Sequence, residues 1–294
     1  MEPIEIDDYL LNPSLRQYVM FTGLDLTNNP HHASIHAAFV DETRVGALAM
    51  SYGFLTHDHE LFRRPSSAAS SFGTSDAAQP HGRNSIAPAL RKVGGIIKRA
   101  WSLKYLRQRA ALIVCFVDVD WDETNWLEKK TECESKINSL RQSLGHRDTR
   151  IALVLVPRIA VGVTSPPHNI VAEKKLELCG QCKLPPKNVF VLPCVNISAR
   201  SDASSASASE SPVVEDVVTA TTNSAPLLLS RSFLEAITRC EVIFHELAQD
   251  AYMHFLKRIR ARSIPNNDAR LLIRQQYKLA FISELREDVH SALR

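Results

Sequence analysis

Two short segments of the chain are almost wholly apolar, and one long amphipathic segment lies between them. The first covers residues 110–117 (AALIVCFV) and the second residues 150–156 (RIALVLV). Up to residue 144 the intervening apolar residues recur with helical spacing, and Gly145 suits the end of a helix. A strand that is apolar on both faces is typical of a parallel sheet, in which a helix makes the crossover to the next strand. The three segments therefore predict a parallel strand–helix–strand unit.

The same alternation of strands and helices continues on both sides of this unit. Further strands are predicted at residues 19–24, 47–55 and 188–192, and further helices at residues 30–42, 89–106 and 167–182. Strands separated by crossover helices form a doubly wound sheet with helices on both faces. The chain is long enough to bury such a core without disulfides or metal ions. We therefore expect an α/β fold with a doubly wound, mostly parallel sheet.

Two segments that are poor in large apolar side chains divide the chain. Residues 63–88 and the Ser/Ala-rich residues 198–226 bury too little apolar surface to offset the entropy of ordering, so both are predicted to be disordered. The first is expected as an insertion in an α/β domain of residues 1–197, and the second as a linker. Residues 227–294 then show only helical spacing, with one break at residues 265–268, after which a second helix runs towards the last residue. We expect a helical hairpin there, the start of an α-solenoid, which docks on the sheet, on a partner or on further helices.

The overall charge and the apolar runs limit the classes of function. The formal net charge is +3 at pH 7, which is too close to neutral for a general nucleic-acid binder. The first residues have no apolar core of a signal peptide, and the longest apolar runs are far too short to cross a bilayer. The 6 cysteines lack the dense spacing of a disulfide framework. These features predict a cytoplasmic protein with no transmembrane span and no nucleic-acid partner.

The loops after the predicted strands lack the glycine-rich sequences that bind nucleotide phosphates. Neither the dinucleotide-binding motif nor the P-loop motif occurs. The carboxylates of Asp118, Asp120 and Asp122 are the basis of an alternative hypothesis, a nucleotide-binding α/β enzyme that uses them to hold Mg²⁺ or to transfer a proton. Acids in a first helical turn also complement the helix dipole, and Trp121 and Trp126 would anchor that helix to the sheet, which is the simpler interpretation.

Two other segments resemble parts of metal or redox motifs. His245 and Glu246 match the start of a zinc-protease helix, but Gln249 stands where the second histidine is needed. Cys179 and Cys182 have the C-x-x-C spacing, but a zinc site needs further ligands, and buried structural thiols are the simpler interpretation. We therefore predict no catalytic residue, no cofactor and no metal site.

Residues 83–109 form a basic stretch that contains eight Lys or Arg residues and no Asp or Glu. Trp101 and Tyr105 lie among these cations. Such a stretch suits an anionic lipid surface, a nucleic acid or an acidic protein surface, and the alternative is a solvated helix face. The residues that we predict to take part in an interaction are Arg91, Lys92, Lys98, Arg99, Trp101, Lys104, Tyr105 and Arg107.

Several unusual strings occur in a fixed order along nearly the whole chain. They are FTGLDL, HHASIHAAF, LIVCFVDVDWDETNWLEKKTECESKINSLRQSL, IALVLV, KLELCGQC, NVFVLP and RQQYKLAFISELREDVHSAL. In order and spacing they resemble the N-terminal region of subunit eleven of the trafficking protein particle (TRAPP) complex, the foie gras family. The Ser/Ala-rich segments have no counterpart in this resemblance.

The resemblance implies a non-catalytic subunit or scaffold of a vesicle-tethering complex. Such a protein acts in transport from the endoplasmic reticulum to the Golgi and in autophagy, is cytoplasmic, and is peripheral at the Golgi or at the ER–Golgi intermediate compartment. Its partners would be other TRAPP subunits and the surface of one of these membranes. Family members are much longer, with a helical solenoid downstream, and the resemblance carries over no catalytic residue and no cofactor. Phosphorylation between residues 198 and 211 is a further hypothesis, since it would add charge to the predicted linker.

Overall fold

The computed structural model describes residues 15–48, 50–55, 101–121, 123–145, 147–157, 168–193, 231–265 and 268–293. The predicted insertion at residues 63–88 and the predicted linker at residues 198–226 lie outside these ranges. The strands of the described part are β1 (Gln17–Thr22), β2 (Met50–Phe54), β3 (Leu112–Val119), β4 (Arg150–Pro157) and β5 (Val189–Val191). The helices are α1 (Pro30–Val40), α2 (Trp101–Leu103), α3 (Glu123–Leu144), α4 (His168–Gln181), α5 (Arg231–Arg260), α6 (Ala269–Leu285) and α7 (Val289–Ala292). A π-helical turn (Lys104–Gln108) follows α2, and a 3₁₀ turn (Pro186–Asn188) precedes β5.

The five strands form one sheet in the order β2-β1-β3-β4-β5, and every neighbouring pair is parallel. β3 is the central strand and pairs with β4 along its full length, from Leu112 opposite Arg150 to Val119 opposite Pro157. The predicted α/β fold with a doubly wound parallel sheet is therefore confirmed.

Alternate residues of the central strand enter two separate cores. Ile113, Cys115 and Val117 pack on the face that is covered by α3 and α4. Leu112, Val114 and Phe116 pack on the opposite face, which is covered by α1 and α5. Burial of both faces explains why β3 contains almost no polar residue.

The N-terminal half of α5 forms part of the second core. Phe233, Ile237, Cys240, Phe244 and Leu247 of this helix are buried against the sheet and α1. Phe244 stacks on Phe39 of α1 with the ring centroids 5.7 Å apart. The first helix of the predicted hairpin therefore docks on the sheet through its N-terminal half, which was one of the three arrangements left open by the sequence.

A buried polar network ties α5 to the other side of this core. Glu241 of α5 is fully buried and forms an ion pair with Arg44, which lies in the loop between α1 and β2. The Tyr52 hydroxyl of β2 donates a hydrogen bond of 3.0 Å to the other carboxylate oxygen of Glu241. Arg44 also donates to the Thr238 hydroxyl and to the Ala38 carbonyl oxygen. The paired charges are satisfied, so the network is compatible with an apolar surrounding.

The C-terminal half of α5 leaves the sheet and forms a hairpin with α6. A third core between these helices and the turn after α2 contains Tyr105, Leu106, Tyr252, Phe281 and Ile282, among other residues. As predicted, two helices form this hairpin, the first ending at Arg260 and the second beginning at Ala269. The Asp268 side chain caps α6 by accepting a hydrogen bond of 3.0 Å from the Leu271 backbone N–H.

Several predicted boundaries were wrong by two or more residues, and two of these errors have a clear physical cause. The first strand was expected at residues 19–24 but ends at Thr22, because Gly23 has a positive φ of 89° that a strand does not accommodate. The last helix was expected to run towards the end of the chain but ends at Leu285. Glu287 has a φ of 59°, and the Asp288 side chain caps the separate short helix α7. Local capping by an aspartate competes with continuation of the helix, which helical spacing alone does not reveal.

Candidate functional site

The strand order reverses between β1 and β3, and this is where open α/β sheets of this topology bind ligands. The crevice lies at the carboxyl ends of these strands. Gly23, Asp25 and His32 approach it from the β1 side, and Asp118 and Asp120 approach it from the end of β3. Asp118 and Asp120, two of the three carboxylates of the enzyme hypothesis, therefore lie where folds of this topology bind a ligand.

A buried histidine lies in this crevice. The His32 Nε2 atom lies 2.7 Å from Asp118 Oδ1, and the Nδ1 atom accepts a hydrogen bond of 3.0 Å from the Asp25 backbone N–H. Because Nδ1 accepts, the ring is the Nε2–H tautomer and donates to Asp118. Both ring nitrogens and one oxygen of Asp118 are thus engaged with the protein itself.

The start of α1 is also closed to an anion. The Asn29 side chain accepts hydrogen bonds from the backbone N–H groups of His31 and His32, and Pro30 has no N–H to offer. The Ala33 N–H donates to the Asn29 carbonyl oxygen. A helix N-terminus binds phosphate through backbone N–H groups that have no other acceptor. The backbone N–H groups in the first turn of α1 already donate to Asn29.

Gly23 allows the chain at the end of β1 to pack closely against β3. A Cβ atom at this position would lie 2.1 Å from the carbonyl oxygen of Phe116 in β3. The single glycine of this loop is therefore required by the approach of the chain to its neighbouring strand. Asp25, which follows it, accepts hydrogen bonds from Asn28 and Thr27, and these lower the pKa of its carboxyl group to about 2.

The two tryptophans after β3 attach helices to the sheet, as the simpler interpretation of this segment predicted. The Trp126 Nε1–H donates a hydrogen bond of 2.9 Å to Glu177 of α4. Lys174 donates to the Trp121 carbonyl oxygen at 2.9 Å, and its ammonium lies 5.1 Å from the centroid of the Trp126 ring. Asp122, the third carboxylate of the enzyme hypothesis, lies outside the described residues.

The partial metal and redox motifs have structural partners. The side-chain amide of Gln249 lies 2.7 Å from His245 Nε2, so the residue that replaces the second histidine binds the first one. Cys179 and Cys182 are both buried, and burial raises the pKa of each thiol, that of Cys182 to about 11. Thiols that stay protonated at neutral pH are typical of structural cysteines.

The described part of the basic stretch begins at Trp101, and its aromatic residues are attached to the hairpin. The Tyr105 ring is buried 5.1 Å from Phe255 of α5, and the Trp101 ring lies 5.3 Å from Phe281 of α6. Lys104 is half-buried and Arg107 is exposed. The other four predicted interaction residues, Arg91, Lys92, Lys98 and Arg99, lie outside the described residues.

An exposed part of α6 carries further cations next to the basic stretch. Leu271, Leu272, Ile273 and Tyr277 expose 37–50% of their surface, although they are apolar or aromatic. Arg270, Arg274 and Lys278 are interleaved with them, and residues 269–281 contain no acid. Lys278 lies 5.5 Å above the ring of Trp101, which joins the two segments. We call these seven α6 residues, together with Lys104 and Arg107, the α2–α6 surface.

Sequence reasoning missed the α6 part of this surface. The sequence did contain a signal for it. Arg270, Arg274 and Lys278 are spaced four residues apart, and three large aliphatic residues (271–273) lie beside them. The sequence analysis predicted a second helix here but named no exposed residue on it, because exposure is not visible in a sequence. None of the helices in the described ranges is long and apolar enough to cross a membrane.

The fold and these sites define an α/β protein in which His32 and Asp118 bind each other in the sheet crevice and α6 exposes large apolar side chains beside cations. No family model matches the chain. The chain is 29% identical over 283 residues to trafficking protein particle complex subunit 11 of Homo sapiens and to that of Bos taurus. It is 29% identical over 282 residues to the same subunit of Gallus gallus.

Each of these alignments covers 94% of the chain and 20% of the relative. The chain therefore spans about a fifth of the length of the curated relatives it matches. The comparisons confirm the resemblance to the N-terminal region of TRAPP subunit eleven.

Proposed function

We propose that the chain acts as a non-catalytic subunit or scaffold of a TRAPP vesicle-tethering complex, in transport from the endoplasmic reticulum to the Golgi and in autophagy. The observation that carries this proposal is the ordered similarity over 94% of the chain to proteins named as subunits of that complex. The hydrogen bond between His32 and Asp118 in the crevice between β1 and β3 supports a non-catalytic role. A cytoplasmic location, peripheral at the Golgi or the ER–Golgi intermediate compartment, follows from the same proposal.

The α2–α6 surface is the proposed contact with other subunits of the complex. It combines exposed large apolar side chains with five cations, Arg270, Arg274, Lys278, Lys104 and Arg107, and an apolar centre with a charged rim is the usual anatomy of a protein interface. The partner face is therefore acidic around an apolar centre. The second proposed contact of this surface is an anionic Golgi or intermediate-compartment membrane, which the same cations and aliphatic residues suit.

A pull-down from native cytosol with the tagged full chain tests the scaffold proposal. Recovery of other TRAPP subunits, identified by mass spectrometry, is the expected result. Failure of the soluble, folded chain to recover any of them would contradict an assembly role for this part of the protein.

Charge reversal tests the contact surface separately. The Lys104→Glu, Arg274→Glu double variant is expected to lose most of the recovered subunits, because it reverses charge at two points of the α2–α6 surface. Lys187→Glu, Arg239→Glu is the matched control, since both residues are exposed elsewhere and the change in net charge is the same. Equal recovery with both variants would remove the α2–α6 surface from the proposal but leave the scaffold role intact.

A further inference from the structure

A cavity of about 310 Å³ lies at the amino edge of the sheet, opposite the crevice that the fold normally uses. Its walls come from three separate parts of the chain: the segment before β3, the loop between α3 and β4, and the C-terminal half of α5. The polar side chains that line it include Arg109, Arg147, Arg258, Asp148, Tyr105 and Thr149. The remaining wall is largely apolar, as in most small-ligand sites.

The side chains that line this cavity carry a net positive charge. Three arginines and one aspartate line it, so the lining side chains carry a formal charge of +2 at neutral pH. Arg258 forms an ion pair with Asp148, with 2.7 Å between the guanidinium nitrogen and the carboxylate oxygen. Charges in a concave wall are screened less than charges on an open surface, so their field is focused into the cavity.

The side chain of Tyr105 lies beside the same cations, and the Arg109 guanidinium is 5.9 Å from the centroid of its ring. Burial raises the pKa of Tyr105, whereas the nearby charges of Arg109, Arg258 and Arg262 act in the opposite direction by favouring the phenolate. These arginines come from the segment before β3, from α5 and from the residues just after α5. Cations from separate elements therefore converge on one buried hydroxyl that lines the cavity.

From this geometry we infer that the cavity binds a phosphate monoester. A phosphate monoester carries between one and a half and two negative charges at neutral pH, which matches the charge of the lining side chains. Its three oxygens can accept hydrogen bonds from the paired N–H groups of several guanidinium groups that approach from different directions. A carboxylate has only two oxygens, which lie in one plane, and cannot bind as many guanidinium groups in this way. The volume lies at the lower end of the range for small-ligand sites, so there is room for a phosphate and the small polar group that carries it.

The phosphate belongs either to a soluble metabolite or to a phosphoinositide headgroup at a membrane. The chemistry of recognition is the same in both cases. This inference does not rest on the proposed scaffold function, since it uses only the residues that line the cavity.

Calorimetric titration of the purified full chain with inositol 1,4,5-trisphosphate tests the inference at fixed ionic strength. We expect saturable binding that Arg109→Gln and Arg147→Gln each weaken by about tenfold or more, because each removes charge-assisted hydrogen bonds. Arg260→Gln is the matched control: it is an exposed α5 arginine outside the cavity lining, and we expect a change of less than about twofold. Arg109→Lys, which keeps the charge but loses the fork, provides a variant with less risk to folding and should weaken binding by an intermediate factor.

A second arm separates the two sources of phosphate. Phosphatidylcholine vesicles that contain phosphatidylinositol 4-phosphate are compared with vesicles that carry the same charge as phosphatidylserine. Preference for the phosphoinositide vesicles identifies a lipid headgroup, and binding of the soluble trisphosphate without that preference identifies a soluble ligand. Absence of binding in both arms, or equal weakening by Arg260→Gln and Arg109→Gln, would overturn the inference.

Discussion

Removal of the buried carboxylate of Glu241 should be among the most damaging single changes in the described part of the chain. Glu241 is fully buried, and the side chain of its partner Arg44 exposes only 5% of its surface. Glu241→Ala would leave the Arg44 guanidinium buried without its counter-charge, and the Tyr52 hydroxyl would lose its acceptor. Breaking one side of a buried ion pair costs about 3–5 kcal/mol.

That cost is large compared with the stability of a typical domain, which is about 5–15 kcal/mol. At roughly 2–4 °C per kcal/mol for a domain of this size, the thermal midpoint should fall by about 6–20 °C. Urea unfolding followed by far-UV circular dichroism measures the free energy, and calorimetry measures the midpoint. Glu235→Ala is the matched control, since Glu235 lies on the same helix in an exposed pair with Arg231 and should change the free energy of unfolding by less than about 1 kcal/mol.

A triple variant tests the physical reason. Arg44→Met, Tyr52→Phe and Glu241→Leu together replace the network with apolar side chains and leave neither charge nor hydroxyl unsatisfied. Replacement of a buried ion pair by apolar residues is often neutral or stabilising, so most of the stability lost in Glu241→Ala should return. If Glu241→Ala destabilised no more than Glu235→Ala, the network would not anchor α5. If the triple variant were as unstable as Glu241→Ala, the unpaired charge would not be the cause.

Four further outcomes are expected. Gly23→Ala should destabilise the protein by more than about 1 kcal/mol in urea unfolding, because φ is positive at Gly23 and the new Cβ would meet the Phe116 carbonyl oxygen; an unchanged midpoint would contradict this. The pKa of Asp25 is lowered from 3.8 to about 2 on folding, so its contribution to stability should be complete above pH 3.8 and be lost as the pH falls towards 2. NMR titration of the carboxyl checks this, and an ordinary pKa would disprove it. Burial raises the pKa of Cys115 to about 11 and that of Cys133 to about 12, so mass spectrometry should find both alkylated at neutral pH only after unfolding. Calorimetric titration of the Arg109→Gln variant, in which the proposed phosphate cavity is weakened, with ATP, GTP and NAD, with and without Mg²⁺, should give no heat of binding, and saturable heat would revive the nucleotide-enzyme hypothesis.

Local patterns predicted the elements of the fold because each pattern has a local physical cause. The apolar segment of β3 reflects burial on both faces, and the periodicity before Gly145 reflects one buried face of α3. Gly145 has a φ of 53° at the end of that helix, and Asp268 caps the next-to-last helix, as both residue types suggested. Where local capping opposed periodicity, at Glu287 and Asp288, the periodic pattern alone placed the helix end too late.

The candidate sites were less accessible to sequence reasoning. Asp118 was recognised as a strand-end carboxylate, but its partner His32 lies 86 residues away in the chain, and nothing local connects the two. Tyr105 was expected to take part in an interaction, and the structure places its ring in the core of the hairpin. The cations of the cavity at the amino edge lie in segments that are far apart in the sequence, so no motif contains them.

The sequence by itself therefore determined the α/β class, the positions of most strands and helices, and the relationship to TRAPP subunit eleven. Each of these depends on residue order or on periodicities that a single segment must satisfy to bury its own apolar face. Only the tertiary structure decided that α5 covers the sheet, that His32 binds Asp118 in the crevice, and that three arginines line one cavity. Those features depend on which distant segments of the chain come into contact. The contacts are determined by the requirement that all apolar faces are buried and all buried charges are paired in the same structure.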